Sequence, residues 1–287
     1  MRLPGPFEIH RVQEFEWPER ELDFLLLDVT REDFNTTRTS TDARFVDVER
    51  GLLRMSFHSF VVRTPQGVLL VDTCVGNDKE RQVIPEWHMQ NFPYLSRLRD
   101  VGLTPEDIDY VCCTHLHGDH VGWNTRLENG RWVPTFPNAR YLFADAEVSY
   151  WEQFHVDNPG NVYGGPWNDS VLPVIEAGLV DRVASDHEIM SGIRLSPAPG
   201  HTPGNVVIEL GDGQSSAVMS GDVLHHPVQI ERPQWASVFD NDPDHARVTR
   251  RGLLERVADT SVLLMGAHFA APTALQVESD ADCFMYR

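Results

Sequence analysis

From Thr114 to Asn124 the chain reads Thr-His-Leu-His-Gly-Asp-His-Val-Gly-Trp-Asn, which puts His115, His117, Asp119 and His120 on one short stretch. Imidazole and carboxylate are the common protein ligands of divalent metal ions, and a packed interior has no other use for four of them so close together. His115 and His117 follow the apolar run Tyr110 to Cys113 at a spacing of two. An extended backbone there points both rings the same way, so they can share one ion. A turn at Gly118 would swing Asp119 and His120 to a second position nearby, and the loop therefore suggests two ions.

Three other positions match. His201 lies in Pro-Ala-Pro-Gly-His-Thr-Pro-Gly just before a strand, Asp222 follows Ser220-Gly221 at the end of the run Ala217 to Met219, and His268 follows Gly266-Ala267 after Ser261 to Met265. Candidate ligands thus sit at strand ends beside small residues or proline, where loops gather at one edge of a sheet. The ordered pattern His115-x-His117-x-Asp119-His120, His201, Asp222, His268 resembles the metallo-β-lactamase superfamily in its two-metal hydrolase form. The resemblance runs from about Ser56 to His268. It implies that His115, His117 and His201 hold one ion, that Asp119, His120 and His268 hold the other, and that Asp222 bridges them.

Two such ions would share a hydroxide whose pKa falls far enough to leave a nucleophile at neutral pH, and would polarise the oxygen under attack. The reaction class is hydrolysis. Zinc is the expected metal, with manganese, cobalt and iron accepting the same ligands. The long gap between His120 and His201 and the Gly-Trp-Asn after His120 resemble the branch containing methyl parathion hydrolase and related lactonases. Where compact acyl-homoserine lactonases carry a tyrosine three residues after the bridging aspartate, this chain has His225, as that branch does. Asp119 and His225 are the catalytic candidates, His225 as an auxiliary acid. Asp72, closing the run Leu69 to Val71, resembles the family's aspartate that orients a ligand or loop. Trp123, Phe154, Tyr163 and Trp167 are candidates for an apolar substrate pocket. His58, His88, His155, His187, His226 and His245 have no partner spacing and read as ordinary surface or core residues.

The elements that must position these groups are partly legible. Phe57 to Thr64 and Val68 to Asp72 read as a hairpin joined by Pro-Gln-Gly. Tyr94 to Val101 reads as a helix closed by Gly102, and Tyr110 to Cys113 as a buried strand. Arg140 to Phe143 is an expected strand, Ala144 to Phe154 a helix, and residues 155–168 a surface loop lining the substrate pocket. Asn205 to Leu210 and Ala217 to Met219 form a second hairpin around Gly211-Asp212-Gly213. Asp242-Pro243 opens a helix with an apolar stripe at Ala246, Leu253, Leu254, Val257 and Ala258, followed by the strand Ser261 to Met265. Residues 1–50 are polar and mixed, an N-terminal extension or loop/strand segment. The expected fold class is α/β, an αββα sandwich of two mixed β-sheets flanked by helices, in one domain over residues 1–287.

Composition narrows the function. Apolar residues at 41% supply a sizeable core, and a formal charge of -19 repels nucleic acid and anionic membranes alike. A nuclease is therefore disfavoured. A glutathione-thioester hydrolase would want cationic residues for its substrate, and Lys79 is the one lysine here. Met1 to Trp17 has no apolar core of a secretory signal, no stretch approaches a membrane span, and the four cysteines lack disulfide or metal spacing. The expectation is a cytoplasmic hydrolase of lactones or neutral esters, including quorum-quenching-type lactones. Phosphotriesterase, thioester hydrolase and β-lactamase activities stand as alternatives. The expected partner is a small neutral or apolar molecule, without nucleic acid or membrane, and a homodimer is left open.

Overall fold

The computed structural model describes residues 1, 3, 6–158, 165–211, 216–281 and 283–287. The chain divides into two compact units, each made of two stretches: Met1–Phe15 with Phe57–Ser185, and Glu16–Ser56 with Asp186–Arg287.

In the larger sheet the strands run in the order Glu8–Arg20, Leu52–Thr64, Gly67–Val71, Tyr110–Cys112, Arg140–Ala144, Val180–Val183. Leu52–Thr64 and Gly67–Val71 pair antiparallel across the expected tight turn, and the remaining three pairings from Gly67–Val71 onward are parallel. Parallel neighbours need crossovers, and the helices Tyr94–Asp100 and Asp145–Asp157 provide them. Parallel strands are covered on both faces, which is why Tyr141 to Ala144 are buried without alternation. Val61, Leu70, Val111, Tyr141 and Phe143 form one apolar cluster with Tyr94, Leu98 and Trp151.

In the second unit the order is Glu188–Met190, Ile193–Pro197, Val206–Leu210, Ala217–Met219, Leu263–Met265, Ala274–Leu275. Only the pairing of Ala217–Met219 with Leu263–Met265 is parallel, and the helix Pro243–Val257 lies in that crossover. Asp242 caps it by accepting from the His245 N–H, with Pro243 in the first turn, and Ala246, Leu253, Leu254 and Val257 are buried as the apolar stripe requires. Both sheets are mixed and have helices in their connections.

One expectation changes. The helix from Asp145 runs on to Asp157, and Gly165 and Pro166 are helical before a π-helical turn at Trp167–Val171. The loop expected over 155–168 therefore does not include 155–157 or 165–168, because nothing between Phe154 and Asp157 breaks a helix before the Asn158-Pro159 step. Residues 159–164, with Tyr163, and 212–215 of the second hairpin turn lie outside the described residues. The segment 1–50 contains a 13-residue strand, Glu8–Arg20, whose charged residues conceal it as a polar stretch. No helix among the described residues is long and apolar enough to cross a membrane.

Candidate functional site

In the first unit, Thr114 lies two residues beyond the strand Tyr110–Cys112, and its backbone N–H donates to Asp72 Oδ1 (2.7 Å). Asp72 closes the neighbouring strand, and its Oδ2 lies 2.9 Å from His120 Nδ1. The Thr114 hydroxyl lies within 3.2 Å of both Asp72 oxygens and 3.1 Å from His115 Nδ1. His117 precedes the short helix Gly118–Val121, which carries Asp119 and His120. The His115 ring centroid is 4.6 Å from that of His117 and 4.1 Å from that of His120, while Asp119 Oδ2 is 3.8 Å from His120 Nε2. The turn can approach its neighbour this closely because Gly122 has no side chain: a Cβ there would stand 1.9 Å from the Val75 carbonyl oxygen.

In the second unit, Asp222, His225 and His268 follow the parallel pair Ala217–Met219 and Leu263–Met265, and His201 precedes Val206–Leu210. Asp222 is at the centre: its Oδ1 is 3.1 Å from His268 Nε2, and its Oδ2 is 3.4 Å from His201 Nε2 and 3.1 Å from His225 Nε2. His201 Nδ1 is 3.0 Å from Asp240 Oδ1, and His268 Nδ1 is 3.3 Å from the Ser56 carbonyl. Asp240 is itself held by the fully buried Arg250, which also donates to the carbonyls of Val223 (2.7 Å), Pro233 and Trp235. Burial pushes Asp240 up, but the hydrogen bond from His201 and the nearby His225 and Arg250 hold it below the usual carboxylate range. Burial lowers His225, against the pull of Asp222. Neither nitrogen of His225 makes an aligned hydrogen bond.

The donor chemistry fits divalent ions. Asp72, Asp240 and the Ser56 carbonyl can only accept, so His120, His201 and His268 carry their proton on Nδ1 and present the Nε2 lone pair. Thr114 spends its hydroxyl proton on Asp72, so it accepts from His115 Nδ1 in the same way. Holding Nδ1 through a protein oxygen is how metal-binding imidazoles are fixed in tautomer and orientation. His201, His225 and Asp240 also bring ligand-type atoms within 4.8 Å of one another, but Asp240 spends its oxygens on His201, Arg250 and the Ser237 N–H and so serves as a support.

The pocket candidates fall differently. Trp123 is buried in the core, stacked at 5.2 Å on Tyr94 with its indole N–H donating to Glu14 (2.5 Å), and is corrected to a structural residue. Its spacing after the histidines suggested a wall, but the intervening helix turns it inward. Phe154 stands in an aromatic row that begins at His117: His117 to Trp151 5.6 Å, Trp151 to Phe154 5.3 Å, Phe154 to His155 6.4 Å, His155 to Trp167 5.6 Å. Trp151 is the member the sequence did not single out. Glu147, also missed, is buried, and its Oε1 accepts from both the Leu116 N–H (3.0 Å) and the Trp151 indole (2.8 Å). Asp240 and Arg250 carried no signal beyond their charge, although an arginine inside the apolar stripe of a helix is a hint of a buried pair.

A family model described as the metallo-beta-lactamase superfamily matches residues 57–268. A Bacillus cereus N-acyl homoserine lactonase is 24% identical over 180 residues, which are 58% of this chain and 63% of the relative. The chain thus spans less than two thirds of the length of that relative. Among solved structures, AidC, a dizinc quorum-quenching lactonase in complex with its product, superposes with a TM-score of 0.79 at 21% identity over 100% of this chain and 95% of the other. The hydrolase AbOPH of the beta lactamase superfamily gives 0.81 at 24% over 99% and 95%.

Proposed function

Because the chain belongs to the metallo-β-lactamase superfamily and has its fold of mixed sheets with flanking helices, we propose that it is a binuclear metal-dependent hydrolase of lactones or neutral esters, acyl-homoserine lactones first. The observation that carries this reading is the set of four imidazoles whose Nδ1 atoms are tied to protein oxygens, together with Asp222 among three Nε2 atoms. The lactonase relative supports the substrate class. His115, His117 and His201 are assigned to one ion, Asp119, His120 and His268 to the other, and Asp222 to both.

Two divalent ions, zinc first, would supply a nucleophile at neutral pH and polarise the substrate carbonyl. The chain does the rest. Asp72, Asp240, Thr114 and Ser56 fix the tautomers. His225, buried and without an aligned partner, donates a proton to the ring oxygen as the ester bond breaks. Trp151, in the same apolar cluster as Trp167, packs against the His117 ring, and the half-buried Phe154 next to it offers an apolar surface there that excludes water. We treat both units as one hydrolase domain, since neither is a continuous stretch of chain. All four cysteines are free, which fits the cytoplasmic location we assign.

The test is a metal-loaded assay on acyl-homoserine lactones, γ- and δ-lactones, aryl esters, methyl parathion and a cephalosporin, with metal analysis. Lactones should be turned over best, the activity should vanish in His117→Ala and Asp222→Ala, and about two ions should bind per chain. Turnover of nothing, or of the cephalosporin alone, would refute the reading.

A further inference from the structure

The loop Asp72 to Gly76 is strained: Asp72 (φ 56°), Cys74 (φ 50°) and Gly76 (φ 82°) all adopt left-handed conformations, and two of them carry side chains. Such a backbone persists only where its surroundings over-determine it. One side of the loop grips His120, with the Thr73 N–H on its carbonyl (2.7 Å) and the Asp72 carboxylate on its ring. The loop also pairs with the residues after the helix, Cys74 accepting from the Gly122 N–H (2.7 Å) and Thr73 from the Trp123 N–H (2.8 Å).

What holds the far side is Glu14. Its carboxylate accepts from the successive N–H groups of Val75 (2.8 Å) and Gly76 (3.0 Å), a concavity of backbone donors suited to an anion, and from the Trp123 indole. It is fully buried, and all three donors are neutral. Taking a carboxylate out of water without a cation is costly, so its presence calls for a geometric return. The strand that carries it is pinned by Arg97, which donates to the carbonyls of Gln13 (2.9 Å) and Glu14 (2.7 Å). Glu14 lies outside the stretch 57–268 matched by the family model.

We propose that Glu14 is a positioning residue for the metal centre, fixing the loop Asp72–Gly76 and Trp123 and through them the orientation of His120. The inference rests on the metal-binding reading above. The experiment measures the affinities of wild-type protein, Glu14→Gln and Trp123→Phe for cobalt(II) by chelator competition, with the cobalt absorption spectrum and circular dichroism as further readouts. Glu14→Gln should keep its fold, bind the ion assigned to His115, His117 and His201 within about twofold of wild type, and lose at least about tenfold for the ion assigned to Asp119, His120 and His268, with a changed cobalt spectrum. Trp123→Phe, which removes one of the three donors, should lose about two- to fivefold at the same ion, and it decides the matter if Glu14→Gln does not fold. Two ions bound equally by wild type and both variants would overturn the inference alone. Wild-type protein that binds no ion would overturn the metal reading and this inference with it.

Discussion

The pair Arg250–Asp240 offers the sharpest test of how the second unit is held together. Arg250 sits inside the helix Pro243–Val257 with no exposed surface and donates to Val223, Pro233, Trp235 and Asp240. In Arg250→Met, the Asp240 charge stays buried with only His201 and the Ser237 N–H as partners. Breaking a buried pair costs about 3–5 kcal/mol, and the low end applies because those partners remain. Three carbonyls losing a donor add about 1–2 kcal/mol, and the apolar methionine returns about 1 kcal/mol. The net loss is about 3–4 kcal/mol, a fall in Tm of about 6–12 °C for a chain of this size. Stability should be measured in chelator, since bound metal would mask the loss. Asp240→Asn in the Arg250→Met background removes the stranded charge and should recover about 2 kcal/mol, so the coupling in the double-mutant cycle is that recovery plus whatever Asp240→Asn costs alone. Metal affinity separates the two roles: Asp240→Asn should weaken it at least about tenfold, because His201 loses the carboxylate behind it, and the double variant should stay weak while regaining stability. A loss under about 1 kcal/mol in Arg250→Met, or additive effects in the cycle, would refute this account of the pair.

Three further outcomes follow from the same structure. Burial pushes the Glu14 carboxyl up to about 7 from 4.5, against the N–H donors of Val75, Trp123 and Gly76. Relative to the unfolded chain, the folded state thus favours the protonated form below about pH 7 and holds the carboxylate above it, and the contribution of the protonated form, on the order of 3 kcal/mol, is complete below pH 4.5 and lost as the pH rises through about 7. Urea midpoints between pH 4.5 and 8 should show this decline in wild type and not in Glu14→Gln; parallel curves would contradict it. Lys79 is buried over the Trp132 ring, and burial lowers it to about 7, whereas Arg81 grips Asp169 through two nitrogens. Lys79→Met should therefore change stability by no more than about 1 kcal/mol at pH 7, and Arg81→Met should cost about 3 kcal/mol by leaving Asp169 with only Lys79 (3.7 Å) and the Ser170 hydroxyl as partners; thermal melts that reverse this order would show the roles misassigned. Gly122→Ala drives a methyl into the Val75 carbonyl and should destabilise by at least about 2 kcal/mol with loss of metal binding, so a variant with wild-type Tm would mean the two backbones do not meet as described.

Local rules were enough for much of this molecule. The spacing of His115, His117, Asp119 and His120 after a buried strand, the Asp242-Pro243 start of a helix, and the two hairpins are set by neighbours in sequence, where period, capping and turn chemistry operate. The order of His201, Asp222 and His268 at strand ends added the reaction class by resemblance to a family. Among the groups that orient those ligands, Asp72 was legible by resemblance, whereas Glu14, Asp240 and Glu147 were hidden, because each is a single charged residue far along the chain from its partner. Glu14 reaches Trp123 across 109 residues, Asp72 reaches His120 across 48, Asp240 reaches His201 across 39, and Glu147 reaches Leu116 across 31. A lone Glu or Asp has no periodicity to read, and in a chain with 43 acidic residues most of them are solvated. Trp123 shows the same limit from the other side: its place beside the histidines in sequence suggested the pocket, and a single helical turn sent it into the core. Sequence supplied the groups that can bind and break. Tertiary structure decided which nitrogen His115, His120, His201 and His268 present, because a tautomer depends on the oxygen behind the ring, and only the folded chain brings that oxygen there.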